Sequence, residues 1–320
     1  MWGKEIISLL PLTLTPADLE VVLMEDVHQR RPSFSIPLQF VGVKGVKMPV
    51  AFVKFGGRSH FTLPVFDAYI NLPSTMKGIH ASRHYEVIAE VISLFAMKSG
   101  KLEDICEKIA VKLLEKHGYA SKSYVKARGE VVFESHVENS DMISFEPCTM
   151  IGKAWAYRTG DGVKTRKAVG VSVKGMTACP CALEYVKEKV KHFLEGPPAN
   201  ELPLATHVQR VTGTIIIEVP RGRELDAMRL VGIIQRSMSS PTYGLLKRND
   251  EGEIICRAVS NPKFAEDVIR SMIQGVLEEF WDFPDSTFFE CYVKSEESIH
   301  KHDLVAKQRG TIGEFRDLAS

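Results

Sequence analysis

The chain has no long apolar run. No window approaches the roughly 18 uninterrupted apolar residues of a spanning helix, which excludes a hydrophobic membrane segment of that kind. It also lacks an excess of either charge: 41 Lys and Arg balance 40 Asp and Glu, for a formal net charge of +1. That excludes a global field able to gather nucleic acid or an anionic membrane, so an anionic ligand needs a local cluster of donors. Cysteine is sparse, six in 320 residues, at positions 106, 148, 179, 181, 256 and 291. Such scatter is not a disulfide framework, and these residues are expected as thiols, some of them available as ligands. The opening stretch MWGKEIISLLPLTLTP is interrupted by Pro11 and has no small-residue cleavage site. It does not read as a signal peptide, and a cytoplasmic location is expected.

What is present is the composition of a folded globular protein, 44% hydrophobic and 25% charged. Strand patterns run over Phe34–Val43, Val46–Phe55 and Phe61–Ile70, with Gly45 and Gly56-Gly57 as turn residues. Helical spacing follows over Ala81–Lys98 (Val87, Val91, Leu94, Phe95) and Leu102–His117 (Ile105, Ile109, Leu113). Further strands are expected over Ser121–Val137, Ile143–Arg158 and Ala168–Val173. The second half repeats this grammar: a strand at Val208–Val219, helices at Ala227–Ser237 and Lys263–Phe280, and a strand at Thr287–Val293. Between the halves, Leu183–Leu194 has helical periodicity and stops at Gly196-Pro197-Pro198. The expectation is an α+β protein built by internal duplication. Its divisions are an N-terminal extension over 1–33, a first module over 34–178, a connecting helix and linker over 179–203, and a second module over 204–320.

Three segments carry chemistry. Cys179-Pro180-Cys181 directly precedes a helix, where the dipole and free amides favour an anionic sulfur, although a cysteine by default is a small buried hydrophobe. His207 lies just ahead of a strand, beside Gln209 and Arg210, and the run from Glu296 to Asp303 packs carboxylates with His300 and His302. One thiolate, imidazoles and a carboxylate make a borderline ligand set suited to Zn(II) or Fe(II), although each segment alone also reads as ordinary surface. Lys77-Gly78-Ile79-His80-Ala81-Ser82-Arg83 joins a strand to a helix and offers what a phosphate site needs, or simply a capped helix entry.

These segments, in one order, resemble the GTP cyclohydrolase IB family and its archaeal relatives of the methanopterin pathway, the GTP cyclohydrolase IV type. The match rests on Leu72-Pro73, Lys77-Gly78-Ile79-His80 with Ser82-Arg83, and Cys179-Pro180-Cys181. It continues through Thr206-His207 with Gln209-Arg210, Asn261-Pro262-Lys263-Phe264 with Glu266-Asp267, and Glu297-Ser298-Ile299-His300. The resemblance implies a tunnelling fold of two modules, each a four-stranded antiparallel sheet with two helices on one face. It implies a homodimer or homotetramer with active sites at subunit interfaces, and GTP as the substrate.

By position, the metal ligands implied are Cys179, His207, His300 and Glu251, with Glu253 the alternative carboxylate. Glu266 would accept the N1 and 2-amino hydrogens of guanine. Lys77, Ser82, Arg83 and Arg210 would meet the triphosphate and ribose, and His80 and Glu297 would move protons. The metal implied is Fe(II), with Zn(II) or Mn(II) as alternatives. Ala182-Leu183 after the cysteine pair and the longer segment before His207 are closer to the archaeal branch, which gives 7,8-dihydroneopterin 2',3'-cyclic phosphate. The bacterial branch gives 7,8-dihydroneopterin triphosphate. Two other readings stand beside these: a nitrile reductase with a cysteine nucleophile, and a structural metal-binding assembly protein.

Overall fold

The computed structural model describes residues 26–95, 99–137, 140, 142–191, 193 and 203–319. Most of the expected N-terminal extension, and the linker over residues 196–202, lie outside these. In chain order the elements are β1 (Leu38–Lys47), the hairpin β2 (Val50–Phe55) and β3 (Arg58–Thr62), β4 (Val65–Leu72), α1 (Ala81–Phe95) and α2 (Leu102–Lys116). Then come β5 (Lys122–His136), β6 (Ile143–Thr159), β7 (Gly162–Ala178), α3 (Pro180–Val190), β8 (Val208–Glu218) and α4 (Met228–Ser237). The chain ends with β9 (Ser240–Pro241), α5 (Arg248–Ser260), α6 (Ala265–Glu279), β10 (Phe288–Glu296), β11 (Leu304–Thr311) and α7 (Ile312–Ala319).

The expected pair of four-stranded sheets is corrected. One continuous antiparallel sheet of nine strands runs β1-β4-β5-β6-β7-β8-β10-β11, with β9 on β7, and only the α+β class stands. The physical reason is local. Thr159-Gly160-Asp161-Gly162 turns β6 back into β7, with Thr159 paired to Gly162. A two-residue hairpin loop obliges its strands to be neighbours. Gly162 takes φ 121, a left-handed backbone that suits glycine, and β7 therefore starts at Gly162 rather than at the expected Ala168. Pairing then runs unbroken from Thr159↔Gly162 to Thr149↔Ser172, and β7, the last strand of the expected first module, is bonded to β8, the first of the second, from Ala168↔Glu218 to Ala178↔Val208, so the halves share one sheet.

Alternation decides which face is covered. In β5, Val125, Ala127, Val131 and Phe133 are buried, and they join Val87, Val91, Ile105, Ile109, Ile234 and Met272 in one core under α1, α2, α4 and α6. Helix α2 packs tightly on the sheet at Gly152 of β6, where an added Cβ would stand 2.8 Å from the Leu102 carbonyl carbon. Leu94 does not join the helical stripe; it is 61% exposed. Among the described residues no helix is long and apolar enough to cross a membrane.

Candidate functional site

The registers sort the candidate residues to two ends of the sheet. β7 finishes where β8 begins, with Ala178 opposite Val208, and β10 finishes beside them, with Glu296 opposite Arg210. The α1 entry lies at the other end. Ile70 pairs with Ser123, Ser123 with Ala156 and Ala156 with Thr165, so the chain leaving β4 toward Lys77 starts near the first residues of β7. Thr165 and Ala178 are about 13 residues apart on one strand, roughly 40 Å at the rise of a β-strand.

At the β7–β8 end, Cys179 and His207 flank the last rung. The Cys179 amide donates to the His207 carbonyl at 3.0 Å, and the Thr206 hydroxyl donates to the Cys179 carbonyl at 2.8 Å. Cys179 is the N-cap of α3 with Pro180 at its first position, and it is half-buried, whereas Cys181 is exposed. His207 Nδ1 lies 2.9 Å from Gln209 Oε1, and Gln209 Nε2 donates to Thr177 Oγ1 at 3.1 Å, both supporting side chains being buried. An imidazole that donates from Nδ1 to this oxygen keeps its Nε2 lone pair, the form that ligates a metal. The Ser298 hydroxyl, 3.4 Å from His207 Nδ1, brings the β10–β11 turn to the same place. In that turn Ser295 donates to Glu297 at 2.7 Å, while His300 is exposed and stacks on His302 at 5.2 Å. The Lys263 amide donates to the Ala178 carbonyl at 3.1 Å, which sets the exposed Glu266, in the first turn of α6, near this end.

Glu251 is not gathered with them. It sits exposed in the first turn of α5, whose far turns pack Ala258 and Val259 on Ala178. Eight residues of helix separate Glu251 from Val259, about 12 Å along the axis. Glu253, the alternative, is on the same exposed stretch.

At the other end, Lys77 and Ser82 are exposed and Arg83 donates to the Lys116 carbonyl at the C-terminus of α2, at 3.3 Å. His80 meets partners that the sequence reading did not single out. His80 Nε2 lies 3.0 Å from Asp26 Oδ2, and His28 Nδ1 lies 3.1 Å from Asp26 Oδ1, with the two rings 4.5 Å apart. Burial opposes ionisation of Asp26, but hydrogen bonds from Gln29 and from the His28 amide and ring outweigh it and hold the carboxyl below its usual range. Among the described residues, the set of three ligand side chains whose donor atoms come within 4.8 Å of one another is Asp26, His28 and His80. Cys179, His207, Glu251 and His300 do not form such a set within the chain. The string Asp26-Val27-His28 was visible, but nothing local tied it to His80. Beneath the cluster, His84 and His117 are fully buried with rings 4.7 Å apart. Burial, then His84 and Arg83, push His117 down to about 4.

The fold is similar to that of urate oxidases. The uricase from Bacillus fastidious has a TM-score of 0.51 over 88% of this chain and 96% of its own, at 10% identity, a likeness of fold alone. The chain belongs to the family described as type I GTP cyclohydrolase folE2, whose model matches residues 24–306. It is 37% identical over 305 residues to the GTP cyclohydrolase MptA of Methanothermobacter thermautotrophicus, covering 92% of this chain and 96% of that protein. The GTP cyclohydrolase MptA of Methanococcus aeolicus is 38% identical over 303 residues, covering 91% and 98%. That of Methanocaldococcus jannaschii is 37% identical over 301 residues, covering 91% and 96%.

Proposed function

We propose that this chain is a metal-dependent, cytoplasmic GTP cyclohydrolase that hydrolyses GTP at C8, releases formate and closes a dihydropterin, 7,8-dihydroneopterin 2',3'-cyclic phosphate, for methanopterin synthesis. The observation that carries the reading is the junction of Cys179 and His207 across the last rung of β7 and β8, with Gln209 turning the imidazole, in a chain of this family.

The donor set fits a divalent transition ion, with Fe(II) as our choice: a sulfur from Cys179, Nε2 of His207, the imidazole of His300 and the carboxylate of Glu251. Bound there, the ion would supply Lewis acidity for addition of water at C8 of guanine. Glu266 accepts the guanine N1 and 2-amino hydrogens and so selects guanine over adenine. Lys77, Ser82, Arg83 and Arg210 hold the triphosphate and ribose. Glu297, held by Ser295, and His80 carry protons to and from the opening ring.

One chain cannot bring these groups together, because Lys77–Arg83 and Cys179–His207 lie at opposite ends of the sheet, roughly 40 Å apart by the strand rise. We therefore place the working site between copies of the chain, in a homodimer or homotetramer, with Glu251 arriving from whichever copy presents it. The outer strands β1 and β11 end the sheet and leave edges suited to such assembly. The test is anaerobic incubation with GTP and Fe(II), Mn(II) or Zn(II), following formate and the mass of the pterin. Metal-dependent formate with a cyclic phosphate product supports the reading. A triphosphate product would overturn the product assignment, and no formate with any metal would overturn the activity.

A further inference from the structure

We infer that Asp26, His28 and His80 form a second metal site, separate from the Cys179–His207 centre, that takes a divalent first-row transition ion through two imidazole nitrogens and one carboxylate oxygen. Two histidines and one carboxylate with open positions are a recurrent donor set for such ions. The distances fit a shared ion. Ligands about 2.0–2.1 Å from a tetrahedral ion stand roughly 3.3 Å from one another. Here the ring nitrogens lie 3.0 and 3.1 Å from the two carboxylate oxygens, and all three ligand atoms fall within 4.8 Å. A capping turn alone would require only the Asp26 contact to the His28 amide, which it makes at 3.0 Å. It would not require a second imidazole, brought from beyond β4, on the other oxygen.

The backbone is set in advance for this. The amides of Lys77 and Gly78 both donate to the His28 carbonyl, at 3.0 and 3.3 Å, and so fasten the N-terminal turn to the loop that carries His80. Gly78 leaves room for the ring, since a Cβ there would stand 3.3 Å from His28 Cδ2. His80 is fixed at the entry to α1, and Gln29 donates to Asp26 Oδ2 at 2.9 Å, orienting the carboxylate. The side chains keep 47% (His28), 32% (Asp26) and 19% (His80) of their exposure, enough for an ion and its waters to enter. On binding, the ion takes the place of any hydrogen on His28 Nδ1 and His80 Nε2: in a neutral ring that hydrogen moves to the other nitrogen, and from a protonated ring it leaves to solvent, so each imidazole ligates in its neutral form with its proton on the far nitrogen. His80 then has only Nδ1 left for proton transfer.

The inference does not depend on the reaction proposed above, and the test keeps the two apart. Chelator-stripped full-length protein is dialysed against Zn(II), and bound zinc is counted by mass spectrometry in the wild type, in Cys179→Ser/His207→Asn, and in that variant with Asp26→Asn and His28→Gln added. Asn keeps the cap and Gln the polarity at those positions, and circular dichroism confirms the fold. We expect Cys179→Ser/His207→Asn to retain one ion per chain and the fourfold variant to lose it. With Co(II) in place of Zn(II), the retained ion should show visible d–d absorption without a thiolate charge-transfer band. No ion in Cys179→Ser/His207→Asn, or an ion that survives all four substitutions, would overturn the site. One ion in the wild type that ignores Cys179→Ser/His207→Asn but vanishes with Asp26→Asn/His28→Gln would uphold this site and count against the Cys179–His207 centre.

Discussion

The two ends of the sheet gather histidines by different means. At the α1 end, a turn of chain around Asp26 is fastened to the Lys77–Gly78 backbone, and a complete three-ligand set results within one chain. At the β7–β8 end, strand register alone joins Cys179 to His207, and Glu251 and His300 stay outside ligand reach. Register fixes where two neighbouring strands meet but cannot turn a helix end such as that of α5 toward them. A site completed only by assembly has this appearance in a single chain, whereas a site completed by local capping does not need a partner.

The largest effect should come from breaking the β7–β8 end. Cys179→Ser or His207→Asn is expected to lower turnover by about 10³-fold or more, the scale of losing a catalytic group, with the unfolding midpoint little changed. Steady-state formate release and thermal melts check both halves of that statement. Next is the support beneath His207. Gln209→Leu removes the acceptor that holds the proton on Nδ1 and should cost roughly 10–100-fold in metal affinity at that end alone, read by competition with a chromophoric chelator.

Two smaller effects belong to the α2 layer and serve as controls for both ends. Gly152→Val would push a side chain into the Leu102–Glu103 backbone and should destabilise the fold by about 1–3 kcal/mol in urea titration, without selective loss at either metal site. Glu103 is 2% exposed with Oε2 unpartnered, and burial pushes its carboxyl up to about 7. A raised carboxyl keeps its proton in the native state while the unfolded chain ionises. Stability attributable to Glu103 is therefore full near pH 4, falls as pH rises toward 7, and stays lower above it. Glu103→Gln should match the wild type near pH 4 and exceed it at pH 8 by about 3 kcal/mol. Equal urea midpoints at pH 8 would refute that reading.

Much of the layer structure was legible. The alternation of Val125, Ala127, Val131 and Phe133 announced β5, and Val87, Val91, Ile105 and Ile109 announced the helices above it, because burial on one face leaves a period in the sequence. The join of β6 to β7 escaped, since residues 162–167 carry a single large apolar side chain, Val163, and only the Gly-Asp-Gly turn hints at a hairpin. The α5 helix escaped too. It buries only Asp250, Ile254, Ala258 and Val259, too few to stand out from a charged string. At the site, Cys179 and His207 could be picked out as chemistry, but their contact depends on a register that no local pattern encodes. The Asp26–His80 contact spans more than fifty residues and left no trace in either segment.

The central claim is that the Lys77–Arg83 cluster and the Cys179–His207 centre work together across two copies of the chain. It is tested most directly by mixing two inactive proteins, Cys179→Ser and Lys77→Ala/Ser82→Ala, after co-expression and purification of the mixed oligomer. If the site is shared, each purified mixed dimer has one intact site of two, so activity should return to about half of the wild-type value. If the mixture stays as inactive as its parents, the two ends of the sheet do not serve one site, and the account is wrong.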